Sequence, residues 1–111
     1  MPFIINDVET PISPEPVLKD GINFIPARQV LESIGGSVKW SDDGKIATAA
    51  IGMVAAAIQM DNGTVLVNAQ MIDLPAKPYV ENDMLFVPWH FFRDALGYKA
   101  NVVGDKFFLY T

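Results

Sequence analysis

The chain has 111 residues, half of them hydrophobic, with no cysteine and a net charge of −5. That is enough for one domain with its own core and too apolar for a disordered segment. The acidic balance argues against nucleic acid or an anionic membrane surface as a partner, and the missing cysteine excludes disulfides, thiolate metal centres and cysteine nucleophiles.

Phe3-Ile4-Ile5 followed by Asn6-Asp7 predicts a small hairpin. A proline-containing crossing over residues 11–16 comes next, and the first twenty residues, without a helical pattern, are the part expected to be loosely held. Ile22-Asn23-Phe24-Ile25 reads as a strand leading into a helix. Pro26 suits the first turn of that helix, and Ala27, Val30, Leu31 and Ile34 fall at i, i+3, i+4 and i+7. Gly35-Gly36 stops it.

Val38-Lys39-Trp40 and the turn Ser41-Asp42-Asp43-Gly44 lead to two alanine-rich runs, 45–51 and 53–60, hinged at Gly52. Helix competes in both runs because alanine is the best helix former. The Gly52 break and the Asp61-Asn62-Gly63 hairpin signal favour strands. Val65-Leu66-Val67 with Asn68-Ala69 predicts another hairpin, residues 75–78 another crossing, and Met84-Leu85-Phe86-Val87 another strand. A second helix is expected over residues 88–96, ending at Gly97, and residues 100–103 and 106–110 form a closing hairpin about Gly104-Asp105.

The second half repeats the first at a spacing of 62 without a gap: Asn6, Pro16, Phe24, Pro26 and Gly35 recur as Asn68, Pro78, Phe86, Pro88 and Gly97. These are five identities in 35 aligned pairs, against roughly two expected by chance. Ile12/Leu74, Asp20/Asn82, Ile22/Met84, Ile25/Val87, Glu32/Asp94 and Ile34/Leu96 keep their chemical class. Retention of proline, glycine and apolar positions preserves a backbone path and not a catalytic set. The expected fold is therefore α+β: one domain over 1–111, built from an internally duplicated strand-helix-strand unit, with an antiparallel sheet wrapped around two short helices. Copy one spans 3–62 and copy two 63–111. The shorter second copy lacks a counterpart to run 53–60, so the terminal strand should complete a sheet begun by the first copy.

Ile25-Pro26, Arg28, Glu32, Gly35 and Val38-x-Trp40 together resemble the copper amine oxidase N-terminal-like domain. Copy two matches through Val87-Pro88, Asp94 and Gly97, with His90 in place of the arginine and Ala100-Asn101-Val102 in place of Val-x-Trp. The resemblance implies a stalk-like, non-catalytic module of the kind attached to surface proteins and cell-wall hydrolases of Gram-positive bacteria. It also implies an extracellular or cell-wall location as part of a longer chain. Met1-Pro2-Phe3 carries no signal-peptide pattern, which fits an excised piece of such a chain.

No metal or other cofactor is expected, since one histidine and no cysteine cannot supply a copper site, and the spacing of Met53, Met60, Met71 and Met84 suits strand cores. His90 with Asp94 at i+4 invites an acid–base reading. Their places match those of Arg28 and Glu32, so both pairs read more simply as contacts on helix surfaces. Asp42-Asp43 offers a weak calcium alternative within a turn that favours aspartate anyway. Trp40 is expected to be buried under the helix, with ligand stacking as its alternative. In the second helix Phe91 lies about 100° from Phe92, so Trp89, His90, Phe91 and Tyr98 form the candidate binding patch, partly exposed unless the closing hairpin covers it. The expected function is that of a non-enzymatic accessory module holding a bacterial envelope or wall-lytic protein to a wall polymer or surface protein. The alternative is a structural stalk or homodimerising module.

Overall fold

The computed structural model describes residues 2–111. Short apolar runs punctuated by turn residues become short strands. In chain order the elements are β1 (Phe3–Ile5), β2 (Val8–Glu9), β3 (Val17–Lys19), β4 (Ile22–Pro26), α1 (Ala27–Ser33), β5 (Ser37–Trp40) and β6 (Ile46–Ile51). Then come β7 (Val54–Gln59), β8 (Thr64–Val67), β9 (Gln70–Asp73), β10 (Tyr79–Glu81) and β11 (Met84–Pro88). The chain closes with α2 (His90–Asp94), β12 (Lys99–Val103) and β13 (Lys106–Tyr110).

The expected α+β arrangement, a sheet wrapped around two helices, is not what forms. Half the chain is strand and 11% is helix, and the strands make three separate sheets. The reason lies in the spacing of the helix punctuation. Pro26 and Gly35, like Pro88 and Gly97, stand nine residues apart, which leaves room for about two turns. Neither helix can act as the centre of a sheet; each joins a strand of one sheet to a strand of another.

Four hairpins turn through two residues that both take positive φ. They are Asn6 at 50° with Asp7 at 67°, Asp20 at 52° with Gly21 at 80°, Asn68 at 50° with Ala69 at 63°, and Asn82 at 52° with Asp83 at 62°. Turns of this hand match the twist of the strands they join. The second pair of hairpins repeats the first at the same 62-residue spacing as the sequence identities, and Gly35 at φ 92° is matched by Gly97 at 80°.

The central sheet runs β10-β11-β4-β3. In it β4 and β11 pair antiparallel with Ile25 opposite Val87, Pro26 opposite Phe86 and Phe24 opposite Pro88. Ile25 and Val87 are themselves partners at the 62-residue spacing, so a local two-fold passes between them.

Each flanking sheet combines the last hairpin of one half with the first hairpin of the other. One runs β12-β13-β1-β2, with β13 and β1 parallel and directly adjacent. The second runs β5-β6-β7-β8-β9. There β7 is antiparallel to both neighbours, so β6 and β8 run parallel to each other with β7 between them. Parallel strands cannot be joined by a tight turn; β7 is the return stroke that links one half of the chain to the other.

The core lies where the three sheets and two helices meet, and Phe3, Ile25, Leu31, Phe92, Phe107 and Leu109 are fully enclosed there. The N-terminal segment, expected to be loosely held, contributes Phe3 and a strand paired on both sides. Asn6 adds a tie to the other end, donating to the Thr111 hydroxyl at 3.1 Å and accepting from the Thr111 N–H at 2.9 Å. The methionines depart from their expected core places. Met53 at the β6–β7 turn and Met71 on β9 are exposed, and Met60 and Met84 are half-buried.

Candidate functional site

The Trp89, His90, Phe91, Tyr98 patch expected on the second helix is only partly a surface. Phe91 is fully buried, edge-on to Phe92 with ring centroids 5.5 Å apart, and Phe92 reaches Phe107 of β13 at 5.4 Å. A two-sided aromatic load can be buried because α2 is five residues long and packs against both β11 and β12. The wheel argument holds for a helix lying on one surface, and this one lies in a junction.

Trp89 and Tyr98 are half-buried against the core. The indole is already occupied by its own neighbours: the His90 ring stacks on it at 4.0 Å and 28°, and the Arg93 guanidinium sits 4.8 Å from its centre. These contacts use the aromatic surface that a ligand would need.

His90 does not pair with Asp94. Asp94 accepts two hydrogen bonds from Arg93, at 2.8 and 3.2 Å, which hold its carboxyl below the usual range. Burial holds the His90 imidazole below its ordinary value, with the Arg93 charge adding and Asp94 opposing. Its Nδ1 is enclosed and has no partner among the described residues. In the first helix Arg28 does reach Glu32, at 3.9 Å.

Trp40 moves the other way. Expected under the helix, it is instead 37% exposed. α1 packs on β5 and covers Val38, but Trp40 lies two residues further along an edge strand, roughly 7 Å on, at the end of β5. It opens onto a surface cleft of about 410 Å³ with Ser37, Lys39, Ser41, Thr48 and Ala50. Register sets this lining: Ser37 faces Ala50 and Lys39 faces Thr48 across the β5–β6 pair. Alternation therefore sends these four side chains to one face of the sheet.

The adjoining turn is held by its own side chains. The Ser41 hydroxyl donates to Asp43 at 2.6 Å and accepts from the Ile46 N–H at 3.1 Å, while the Lys45 N–H donates to the same Asp43 oxygen at 3.0 Å. The Ser41 hydroxyl is the main cause holding the Asp43 carboxyl below its usual range. That oxygen is spent on the turn.

A family model described as copper amine oxidase N-terminal domain matches residues 4–110. The chain belongs to that family. No curated protein matches it. In the copper amine oxidase family the N-terminal domain is a non-catalytic module.

The residues of this copper amine oxidase N-terminal domain do not fit a copper centre. Its single imidazole is His90, stacked on Trp89, and no group of three His, Cys, Asp or Glu side chains able to hold a metal occurs among the described residues. By the alternation along β5, Trp40, opposite Ala47, belongs to the other face of the strand from Ser37 and Lys39 and meets their cleft at the end of the strand, and the Ser41 hydroxyl is already bonded within the turn. Sequence reasoning missed Ser37, Lys39 and Thr48 because only strand register brings them together. It weighed Trp40 for stacking but could not see that β5 is an edge.

Proposed function

We propose that this domain is a non-catalytic accessory module that holds a bacterial envelope protein or wall-lytic enzyme to a cell-wall polymer, with the Trp40 cleft as the contact. The supporting observation is the half-exposed Trp40 at the end of the edge strand β5, on a cleft that Ser37, Lys39 and Thr48 also line, an aromatic surface and polar groups of the kinds that meet a saccharide's apolar face and hydroxyls. The net charge of −5 favours a neutral saccharide over a polyanion.

Purified domain is pulled down on Gram-positive walls before and after secondary polymers are stripped. Trp40→Ala should weaken wall binding by about tenfold or more, roughly 1.4 kcal/mol, with unchanged thermal unfolding. Retention of binding by Trp40→Ala, or no binding by the parent domain, ends this reading.

A stalk or oligomerising role draws support from another place. The outer strands of the central sheet, β3 and β10, expose Leu18 and Val80 beside unpaired backbone edges. A sedimentation coefficient that rises with protein concentration, without wall binding, would favour that role over anchoring.

A further inference from the structure

The first half of the chain carries a second cleft, of about 430 Å³, between α1 and the segment over residues 10–13. It shares no residue with the Trp40 cleft. Its lining differs from the matching places of the second half in a consistent direction. Thr10, Ser13, Gln29 and Ser33 line it, and the residues 62 positions later are Ile72, Pro75, Phe91 and Ala95. Each of these four polar residues is replaced by an apolar one, while Glu32 keeps a carboxylate counterpart in Asp94, and Phe91 at the place of Gln29 is fully enclosed. Where α2 spends this position on the core, α1 leaves an opening.

The groups at the opening are mostly acceptors. The Thr10 hydroxyl donates its proton to the Val8 carbonyl at 2.9 Å, and the Ser33 hydroxyl to the Val30 carbonyl at 2.6 Å, so each offers lone pairs alone. Glu32 adds a carboxylate whose nearest cation, Arg28, stands 3.9 Å away. Gln29 adds an enclosed Oε1 with no hydrogen-bond partner among the described residues. An enclosed acceptor left unpaired is unfavourable, and a donor that reaches it removes the penalty; the terminal amide torsion is soft enough to turn toward one. Pro11 and Ile12 supply an apolar wall beside these acceptors.

We propose that the cleft between α1 and residues 10–13 binds a primary alkylammonium group, its nitrogen donating to Gln29, Glu32 and one of the two hydroxyl oxygens and its carbon chain lying along Pro11 and Ile12. A primary ammonium carries three donors and no acceptor, which complements this lining, and the acidic chain favours a cation.

The test is titration of the isotope-labelled domain with n-butylammonium chloride, followed by amide chemical shifts, with 1-butanol as the uncharged control. Saturable shifts confined to residues 8–13 and 28–33, absent with 1-butanol, are expected. Gln29→Phe, which installs the residue of the second half, should abolish them. Glu32→Gln, at an exposed position, should weaken them by about tenfold and serves as the decisive variant if Gln29→Phe does not fold. Equal shifts with 1-butanol, shifts elsewhere, no shifts, or full retention in Glu32→Gln overturns the proposal. Parallel titrations with Nα-acetyl-lysine amide and glucosamine then tell whether a lysine side chain or an amino sugar is the natural source, and absence of saturation by both likewise overturns it.

Discussion

α1 and α2 start from the same proline and stop at the same glycine, yet they load opposite chemistry onto that shared frame. α1 buries Ala27, Val30 and Leu31 and turns Arg28, Gln29 and Glu32 toward polar surroundings. α2 gives up the leucine place to Arg93, which is exposed, and encloses Phe91 and Phe92 instead. The core around the two helices is therefore asymmetric although the backbone path is not. A repeated path fixes where chain segments go and leaves each half free to spend its side chains on packing or on surface. The fully enclosed phenylalanines fall near α2 and the closing hairpin, and the polar cleft falls near α1.

The largest effects should come from breaking that asymmetry in the core. Phe91→Ala and Phe92→Ala each remove an enclosed ring and should cost about 3–5 kcal/mol in urea unfolding. The pair at the shared place of Leu31 and Arg93 sharpens the contrast. Leu31→Ala should cost about 2–4 kcal/mol as an enclosed aliphatic, and Arg93→Ala far less, as an exposed charge bonded to a neighbour. Equal losses at the two positions would show that the halves carry equal shares of the core.

How much of this was readable from the chain depends on whether a feature is local. Asn6-Asp7 and Gly104-Asp105 announce turns because φ is a property of the residue itself, and both hairpins form. The stripe Ala27, Val30, Leu31 finds its core because one face of α1 does all the burying. Trp40 and Met53 are misplaced by the sequence, and Phe91 is open there between exposure and cover, for a common reason. Periodicity assigns a side chain to a face but says nothing of what stands opposite, and these three depend on a junction, an edge and a hairpin tip. The count of sheets was hidden likewise, since pairing β1 with β13 joins residues about a hundred positions apart. The candidate cleft at Trp40 needs the β5–β6 register as well as the residues.

A smaller difference lies in the turns. The first hairpin of each half is closed by a pair at positive φ, Asn6-Asp7 in one and Asn68-Ala69 in the other. Aspartate visits that region with help from its side chain, and alanine has no such help. Ala69→Gly should remove strain of about 1–2 kcal/mol, less about 0.5–1 kcal/mol for the freer unfolded chain. The net gain expected is roughly 0.5–1 kcal/mol, visible as a higher unfolding midpoint. A loss would mean that the methyl group of Ala69 makes a packing contribution larger than the strain.

The least effect, and the one most specific to α2, is on pH. Where α1 has Arg28, α2 has His90, whose imidazole is held below its ordinary value, chiefly by burial. An unfolded histidine takes up its proton near pH 6.5; the folded one does so only at lower pH. Between those points the unfolded chain binds more protons, so stability is level above about pH 6.5 and falls as the solution is acidified through that window. Asp94, also held low, acts in a lower window, beginning near the ordinary carboxylate value, so the two contributions separate. His90→Arg copies the first half at this position and should flatten the difference in unfolding midpoint between about pH 7.5 and about pH 5.5. The parent domain should show its lower midpoint at the acidic end. A midpoint that rises on acidification would mean that the folded imidazole gains a partner for its proton, which would put Asp94 back beside His90 and bring the two helices closer in design than their side chains suggest.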